Sequence, residues 1–519
     1  MRRLGRLLRT EVTFDRVAIA ILALGAVVLV VSLAGGSEKS RTDEAVRLVP
    51  DGALLYVHAT VEPGSDEWQS LGRIVRSLPT LQRLRDRALR SLSGSGRPLD
   101  FERSVRPWIG DEAALALLPE GRRASSLILV RVADQPLALR FLRGAGRPRK
   151  ERHRGVTVRT YGSLATAFIG NFLAVGAAAH VRAAIDTQGR RSLADDPLFR
   201  AAVAQLELDD PLAYAYAPRT GVTRLLRGQG GLVAQAGGLL ERPGLRAAAT
   251  SVRAEMNGLR ASVATVAVPA ARQAVPFKPT LQSEVSAGTI AYVGARGVDT
   301  IFRLLDDFGA TTSVERVLGR RVGAAAERSL LDAVQPLLGR EAALVVTPPA
   351  SLPVITLIVA NTSKQEGGDV LVGLQPLLTR LLEAPKGAGQ VPTLQPRRVA
   401  GVEAVTLRVS PTLELTYAAF DDKLVVSTSP QGIAQLRGSG TSLEDNASFA
   451  PGLREFLRRP TSVVFLDLRR LSALADRAGL GDTPDYRAIR PDIARVGAVS
   501  AVTASKQSAQ TAEIFLEVP

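Results

Sequence analysis

The sequence predicts an α+β fold class: an N-terminal transmembrane helix followed by two homologous domains, each a mainly antiparallel sheet with helices packed on it. Three observations lead there. Residues 17–34, "VAIAILALGAVVLVVSLA", carry no charge. Beyond them, short apolar or alternating runs flanked by turn residues recur, with helix-period stretches between some of them. Finally, a series of phrases is written twice in the same order.

The apolar segment comes first. As a helix it spans about 27 Å, close to the ~30 Å hydrocarbon core of a bilayer. Arg2, Arg3, Arg6, Arg9 and Arg16 precede it, so residues 1–16 are expected to stay cytoplasmic and residues 37–519 to face the outside of the cell membrane. Ser32-Leu33-Ala34 also resembles a signal-peptide cleavage site, which leaves a cleaved leader as the alternative. Residues 35–44 read as a linker.

The repeated phrases set the rest. "VPDGALLYVHA" (49–59) pairs with "VSAGTIAYVGA" (285–295), and "IGDEAALAL" (109–117) with "LGREAALVV" (338–346). "AFIGNFLAV" (167–175) pairs with "AFDDKLVVS" (419–427), "SLADDPLFRAAVAQL" (192–206) with "SLEDNASFAPGLREF" (442–456), and residues 251–269 with 501–519. The expectation is a tandem duplication: copy 1 over 45–270, a connector over 271–283, and copy 2 over 284–519. Within copy 1, "ALLYVHATV", "LILVRVA", "VTVRTY", "NFLAVGA" and "PLAYAYA" read as strands. "GN" (170–171) and "DD" (421–422) read as hairpin turns. In "DDPLFRAAVAQL", Asp196 is placed to cap a helix, Pro197 suits its first position, and Phe199, Val203 and Leu206 share a face. Asn446 holds the capping position in copy 2, so the repeated phrase is expected to be a strand-to-helix corner.

Several of these phrases resemble the domain of unknown function 3352 family (DUF3352). The carriers are "VPDGALLYV", "GDEAALAL", "GNFLAVG" followed by a helix, and above all "SLADDPLFRAAVAQL". The resemblance covers residues 45–519 as both copies. It implies a bacterial protein with one N-terminal anchor and a large exported region, and it supplies no activity, ligand or catalytic residue.

The residues themselves point to no chemistry. There is no cysteine, which removes disulfides, thiolate metal sites and a thiol nucleophile. His58, His153 and His180 all lie in copy 1, opposite Gly294, Val399 and the Pro/Gly pair at 430–432, and share no metal-ligand spacing; structural or surface roles are expected. No G-x-S-x-G, Ser-x-x-Lys or phosphate-binding glycine motif occurs. Acidic pairs at 195–196, 209–210, 306–307 and 421–422 sit at turns and helix starts, and Glu112 and Glu341 share a repeat position that suits a turn or cap. The reading is therefore not an enzyme, with no catalytic, cofactor or metal residues.

Charge is the departure from blandness. The chain carries +16, with 66 basic residues. Residues 68–107 hold nine Arg against three acids, and residues 121–160 hold eleven Arg or Lys against two. The corresponding stretch of copy 2, 294–409, is nearly balanced, with thirteen basic and eleven acidic residues. Uniform codon bias would not load one copy alone. In residues 68–92, Trp68, Leu71, Val75, Leu78, Leu81, Leu84 and Leu92 fall at helical spacing, with Pro79 splitting the run into two helices. Arg83, Arg87 and Arg90 fill the other surface, and a loop "RPRKERHRG" adds Arg147, Arg149, Lys150, Arg152 and Arg154. Export and the absence of interleaved aromatics argue against nucleic acid. A membrane-anchored envelope protein with a binding or scaffolding role is the leading expectation, its patch facing anionic lipid headgroups or envelope polymers. The alternative is a carrier or sensor holding an apolar, lipid-like ligand between sheet and helices.

Overall fold

The computed structural model describes residues 43–60, 66–77, 101–121, 123–144, 146–188, 191–206, 212–221, 245–268, 275–301, 337, 339–348, 353–370, 372–373, 394–410, 413–438, 440–449, 456–477, 484–506 and 509–518. The apolar segment 17–34 and Arg83, Arg87 and Arg90 lie outside them. Among the described residues, no helix is long and apolar enough to cross a membrane.

Two compact bodies emerge. One gathers Asp15–Ala270 with Asp482–Arg495 and Lys506–Pro519; the other holds Ala271–Gly481 and Val496–Ser505. Strands of the first copy are β1 (Leu55–Thr60), β2 (Ile109–Glu120), β3 (Arg123–Val132), β4 (Arg149–His153), β5 (Val156–Tyr161), β6 (Leu164–Ile169), β7 (Phe172–Gly176), β8 (Ala213–Pro218), β9 (Leu245–Glu255) and β10 (Gly258–Ala267). There follow β11 (Ala291–Arg296), β12 (Glu341–Thr347), β13 (Val354–Ala360), β14 (Leu394–Val399), β15 (Val402–Ser410), β16 (Leu413–Phe420), β17 (Lys423–Ser427), β18 (Ser462–Asp467), β19 (Ala498–Lys506) and β20 (Ala509–Glu517).

Within the first body the neighbours run β4-β5-β6-β7-β3-β2-β1-β8-β9-β10-β20, every pair antiparallel. Within the second they run β14-β15-β16-β17-β13-β12-β11-β18-β19, again antiparallel. The fold is thus mainly antiparallel sheet with helices, and the order from β4 to β9 is the order from β14 to β19. Tight turns set the registers. Gly170 (φ 56°) turns β6 into β7, while Asp421 and Asp422 (φ 46° and 54°) turn β16 into β17, the left-handed pair that a two-residue hairpin requires.

Helices cover the sheet on both faces, and central strands are accordingly buried at successive positions, as in β2 from Ile109 to Ala116. In the first body Leu127, Leu129, Ala167 and Ala174 pack with Val181 and Ile185 of the helix Ala178–Asp186 and with Phe199 and Ala202 of the helix Pro197–Val203. The opposite face, with Val130 and Leu173, packs on Trp108 and on Ala138 and Leu142 of the helix Gln135–Gly144. The helix Asp66–Ser77 buries Leu71 and Ile74 and stops just before Leu78-Pro79. The second body's core assembles Tyr292, Val345, Ile358, Val425, Ile433, Phe449 and Phe465. It also takes in Phe277 and Leu281, from the stretch that the sequence suggests is connector.

The repeated phrase proves to be something other than a strand-to-helix corner. Ser192 and Ser442 each make a single-residue bridge, to Pro50 and Ser286, and each opens a 3-10 turn, Leu193–Asp195 and Leu443–Asp445. Asp195 accepts from the Ser192 amide (2.9 Å) and hydroxyl (3.0 Å), and Asp445 from those of Ser442 (3.1 and 2.7 Å), a reciprocal capping box. Leu193 and Leu443 are driven fully inside, their amides bonded to the Val49 and Val285 carbonyls. Asp196 then caps the helix Pro197–Val203 through the Leu198 amide, and Asn446 accepts likewise from the Ser448 amide.

Candidate functional site

Two clusters stand out in the first body. The segment 147–155, expected to be a loop, is largely strand: β4 pairs with β5 from Arg149↔Thr160 to His153↔Val156. Its charged residues have weak intrinsic strand preference, but the turn Arg154-Gly155 (φ 48° and 81°) locks the hairpin, and an outer strand tolerates charge. Arg147, Arg149, Lys150, Arg152 and Arg154 are all exposed. Glu151 pairs with Arg182 (2.6 Å), and Asp186 holds His153 (2.9 Å) and Arg154 (2.8 Å). Arg147, Arg149, Lys150 and Arg152 make no ion pair among the described residues. Lys150 even faces Arg159 across the ladder, a like-charge pair that an anion on that surface would relieve. The matching hairpin of the second body is balanced: Glu414 answers Arg408 (2.8 Å) and Arg397 (3.9 Å).

The second cluster is buried. It crosses four strands as one row: Tyr214 on β8 faces His58 on β1, which lies diagonal to Glu112 on β2, beside Arg131 on β3. A register shift between Ile109 and Ala113 turns two successive acids, Asp111 and Glu112, toward Arg131. Gly110 makes room for that arginine, since a Cβ there would lie 3.1 Å from Arg131 Cγ. Arg131 reaches Glu112 Oε2 (2.5 Å), Glu44 (3.1 Å) and Asp111 (3.2 Å), and its guanidinium lies over Phe172. Glu112 Oε1 accepts the amides of Glu44 (2.9 Å) and Ala45 (2.8 Å), capping the 3-10 turn Ala45–Leu48. Asp43 accepts from the Val46 amide (2.9 Å) and from the hydroxyls of Tyr56 and Tyr214.

His58 completes the cluster. It is 6% exposed, and its Nε2 lies 3.5 Å from Glu112 Oε1 and 3.9 Å from Asp43 Oδ1, without a hydrogen bond. Burial depresses the imidazole pKa, but Asp43 and Glu112 outweigh it and hold it above the ordinary histidine value. Burial raises Glu112, while His58, the Ala45 amide and Arg131 bring it below the usual carboxylate range. Burial and Asp43 push the Tyr56 and Tyr214 hydroxyls well up, so both stay protonated donors. Asp43, His58 and Glu112 bring one ligand atom each within 4.8 Å of one another, the set among the described residues able to hold a metal.

The corresponding place in the second body keeps only part of this. Glu341 caps the 3-10 turn Leu281–Ser283 through the amides of Thr280 (2.8 Å) and Leu281 (3.0 Å) and the Thr280 hydroxyl (2.6 Å). Gly294, paired with Ala343 and Val463, stands where His58 pairs with Ala114 and Tyr214. Tyr292 leans across that glycine, where a Cβ would lie 2.6 Å from its hydroxyl oxygen. The role of Glu112 and Glu341 as caps was legible in the repeat; the company Glu112 keeps was not. The usable signal was the mismatch of "YVHA" with "YVGA".

In the second body, a cavity lined by Val285, Val345, Thr356, Ile358, Gly432 and Leu436 measures about 10 Å³, room for about one water.

The family model for "Protein of unknown function (DUF3352)" matches residues 16–518. The chain belongs to that family. No curated protein matches the chain. Among solved structures, crystal form I of TP0453 is 10% identical with a TM-score of 0.28, covering 45% of this chain and 82% of that one. Crystal form III is 12% identical with a TM-score of 0.27, covering 45% and 84%.

Proposed function

We propose that this DUF3352 protein is a single-pass, membrane-anchored extracytoplasmic protein with a non-enzymatic binding or scaffolding role, built by duplication of one α+β unit, whose first copy docks on anionic lipid headgroups. The observation that carries the reading is the outer strand β4 and the residues leading into it, where Arg147, Arg149, Lys150 and Arg152 stand exposed and without an ion pair among the described residues, while Arg397 and Arg408 of the equivalent hairpin in the second body are answered by Glu414. The segment 17–34 supports the anchor and the arginines before it the orientation. Such an anchor would hold the first copy near headgroups, where each cation contributes about 1 kcal/mol within a Debye length of the surface.

Reconstituting the full chain in neutral nanodiscs and mixing it with phosphatidylglycerol-containing or pure phosphatidylcholine vesicles tests this. Binding to the anionic vesicles should fall with added salt. The quadruple change Arg147→Gln, Arg149→Gln, Lys150→Gln and Arg152→Gln should weaken it by more than about tenfold. Equal, salt-insensitive binding to both vesicles, or no loss in the variant, would overturn the reading.

A further inference from the structure

We propose that Asp43, His58 and Glu112 form a binding site for a divalent transition-metal cation of the zinc class in the first body. The donors are one imidazole nitrogen and two carboxylate oxygens. Three such protein ligands with an open fourth position suit zinc, whereas calcium requires six to eight oxygens.

Three observations carry it. The first is His58 itself: a nine-tenths-buried imidazole whose Nε2 is unpartnered and directed between the two carboxylates. Its separations, 3.5 Å to Glu112 Oε1 and 3.9 Å to Asp43 Oδ1, are too long for hydrogen bonds. They approach the ~3.4 Å that ligand atoms about 2.1 Å from a tetrahedral centre keep from one another.

The second is charge. Glu44, Asp111 and the Oε2 side of Glu112 share one guanidinium, that of Arg131, while Asp43 accepts from the Tyr56 and Tyr214 hydroxyls. On the Oε1 side, Asp43 and Glu112 face His58, whose proton a metal ion would replace. A divalent ion there offsets the surplus, and the surrounding donors already hold the ligands in place. Tyr56 and Tyr214 hold Asp43 through Oδ2 and Arg131 holds Glu112 through Oε2, the outer contacts that metal carboxylates need, while Oδ1 and Oε1 accept backbone amides alongside the ion.

The third is an internal control. The second body caps its own 3-10 turn with Glu341 alone, having Gly294 in place of His58, Pro279 in place of Asp43 and Ala360 in place of Arg131. The architecture therefore does not demand the three extra groups. Asp43 and Glu44 line the more open side of the cluster, with Glu44 half exposed, which provides a route for an ion.

The experiment uses the full chain, purified in mild detergent without a polyhistidine tag or chelator, with Zn²⁺ alone and Co²⁺ alone as probes. Calorimetry and metal analysis should give one zinc per chain, and cobalt should produce the visible absorption of a four- or five-coordinate nitrogen–oxygen site. His58→Gly, which installs the second body's residue, and the isosteric Asp43→Asn should each weaken binding by more than about 100-fold, beyond the range of outer-contact changes. His153→Gln should leave it unchanged. Failure of the unaltered chain to bind either ion stoichiometrically would overturn the site, as would undiminished binding by folded Asp43→Asn; vesicle binding through β4 is read separately.

Discussion

A single buried glutamate performs the same task in both bodies under different loads. Glu112 holds two amides and the Arg131 guanidinium, whereas Glu341 holds two amides and a hydroxyl. Neutralising Glu112 removes the shortest of Arg131's three carboxylate contacts as well as weakening a cap, whereas neutralising Glu341 only weakens hydrogen bonds. Glu112→Gln is therefore expected to cost about 2–3 kcal/mol and Glu341→Gln about 1–2 kcal/mol. Denaturant unfolding of each variant checks the order, and a larger loss for Glu341→Gln would refute the load argument. Glu366 offers the pH counterpart at the surface. Its carboxyl is held down to about 2, first by Arg340 (2.9 Å) and then by the Ser363 amide and hydroxyl. A depressed carboxylate stabilises the fold above its ordinary value of 4.5, and that contribution fades as pH falls through about 2. A carboxyl-carbon NMR titration should show the low midpoint, and Arg340→Gln should move it up toward 4.5.

Elements depend on a few backbone positions. Ala400 and Gly401 turn β14 into β15 with φ 45° and 82°, as Arg154 and Gly155 do for β4 and β5. Alanine in the left-handed region costs about 1 kcal/mol that asparagine largely avoids, so Ala400→Asn should raise the unfolding midpoint. No change would mean that the turn relaxes to another type. Gly432 is the opposite case. In the helix Pro430–Arg437 a Cβ there would fall 2.1 Å from Ser427 Oγ and 2.3 Å from Thr356 Oγ1, both buried. Gly432→Ala should push the helix off the sheet and cost about 1–3 kcal/mol, measured by thermal unfolding. These elements also mark what was legible beforehand. "GN" and "DD" announced their hairpins because left-handed turns select those residues, and Asp196 announced its cap. Strand β4 stayed hidden because its arginines and lysine imitate a loop, its pairing being imposed by the turn and by β5. The Asp43, His58 and Glu112 cluster had no spacing to read, since cross-strand neighbours are set by register and not by distance along the chain.

At the level of the molecule, the first body draws on the far end of the sequence. Strand β20 lies along β10 from Gly258↔Glu517 to Val266↔Ala509, and Val518 donates its amide to the Asn257 carbonyl at 2.9 Å. Ala512, Ile514 and Phe515 are buried along it, and Ser262 donates to Glu513 at 2.7 Å. Removing residues 507–519 would strip β10 of the strand beside it, and burial of Ile514 and Phe515 alone contributes about 1.5–3 kcal/mol each. The loss should therefore register in the first body, more than 200 residues away in sequence. That body reports on itself, because Trp68 and Trp108 are the two tryptophans of the chain and both belong to it. Tryptophan fluorescence during denaturant unfolding should show the truncated chain melting several kcal/mol earlier, with a newly exposed strand edge that promotes association. If the fluorescence transition stays where it is in the full chain, β20 does not hold β10, and the first body is complete without it.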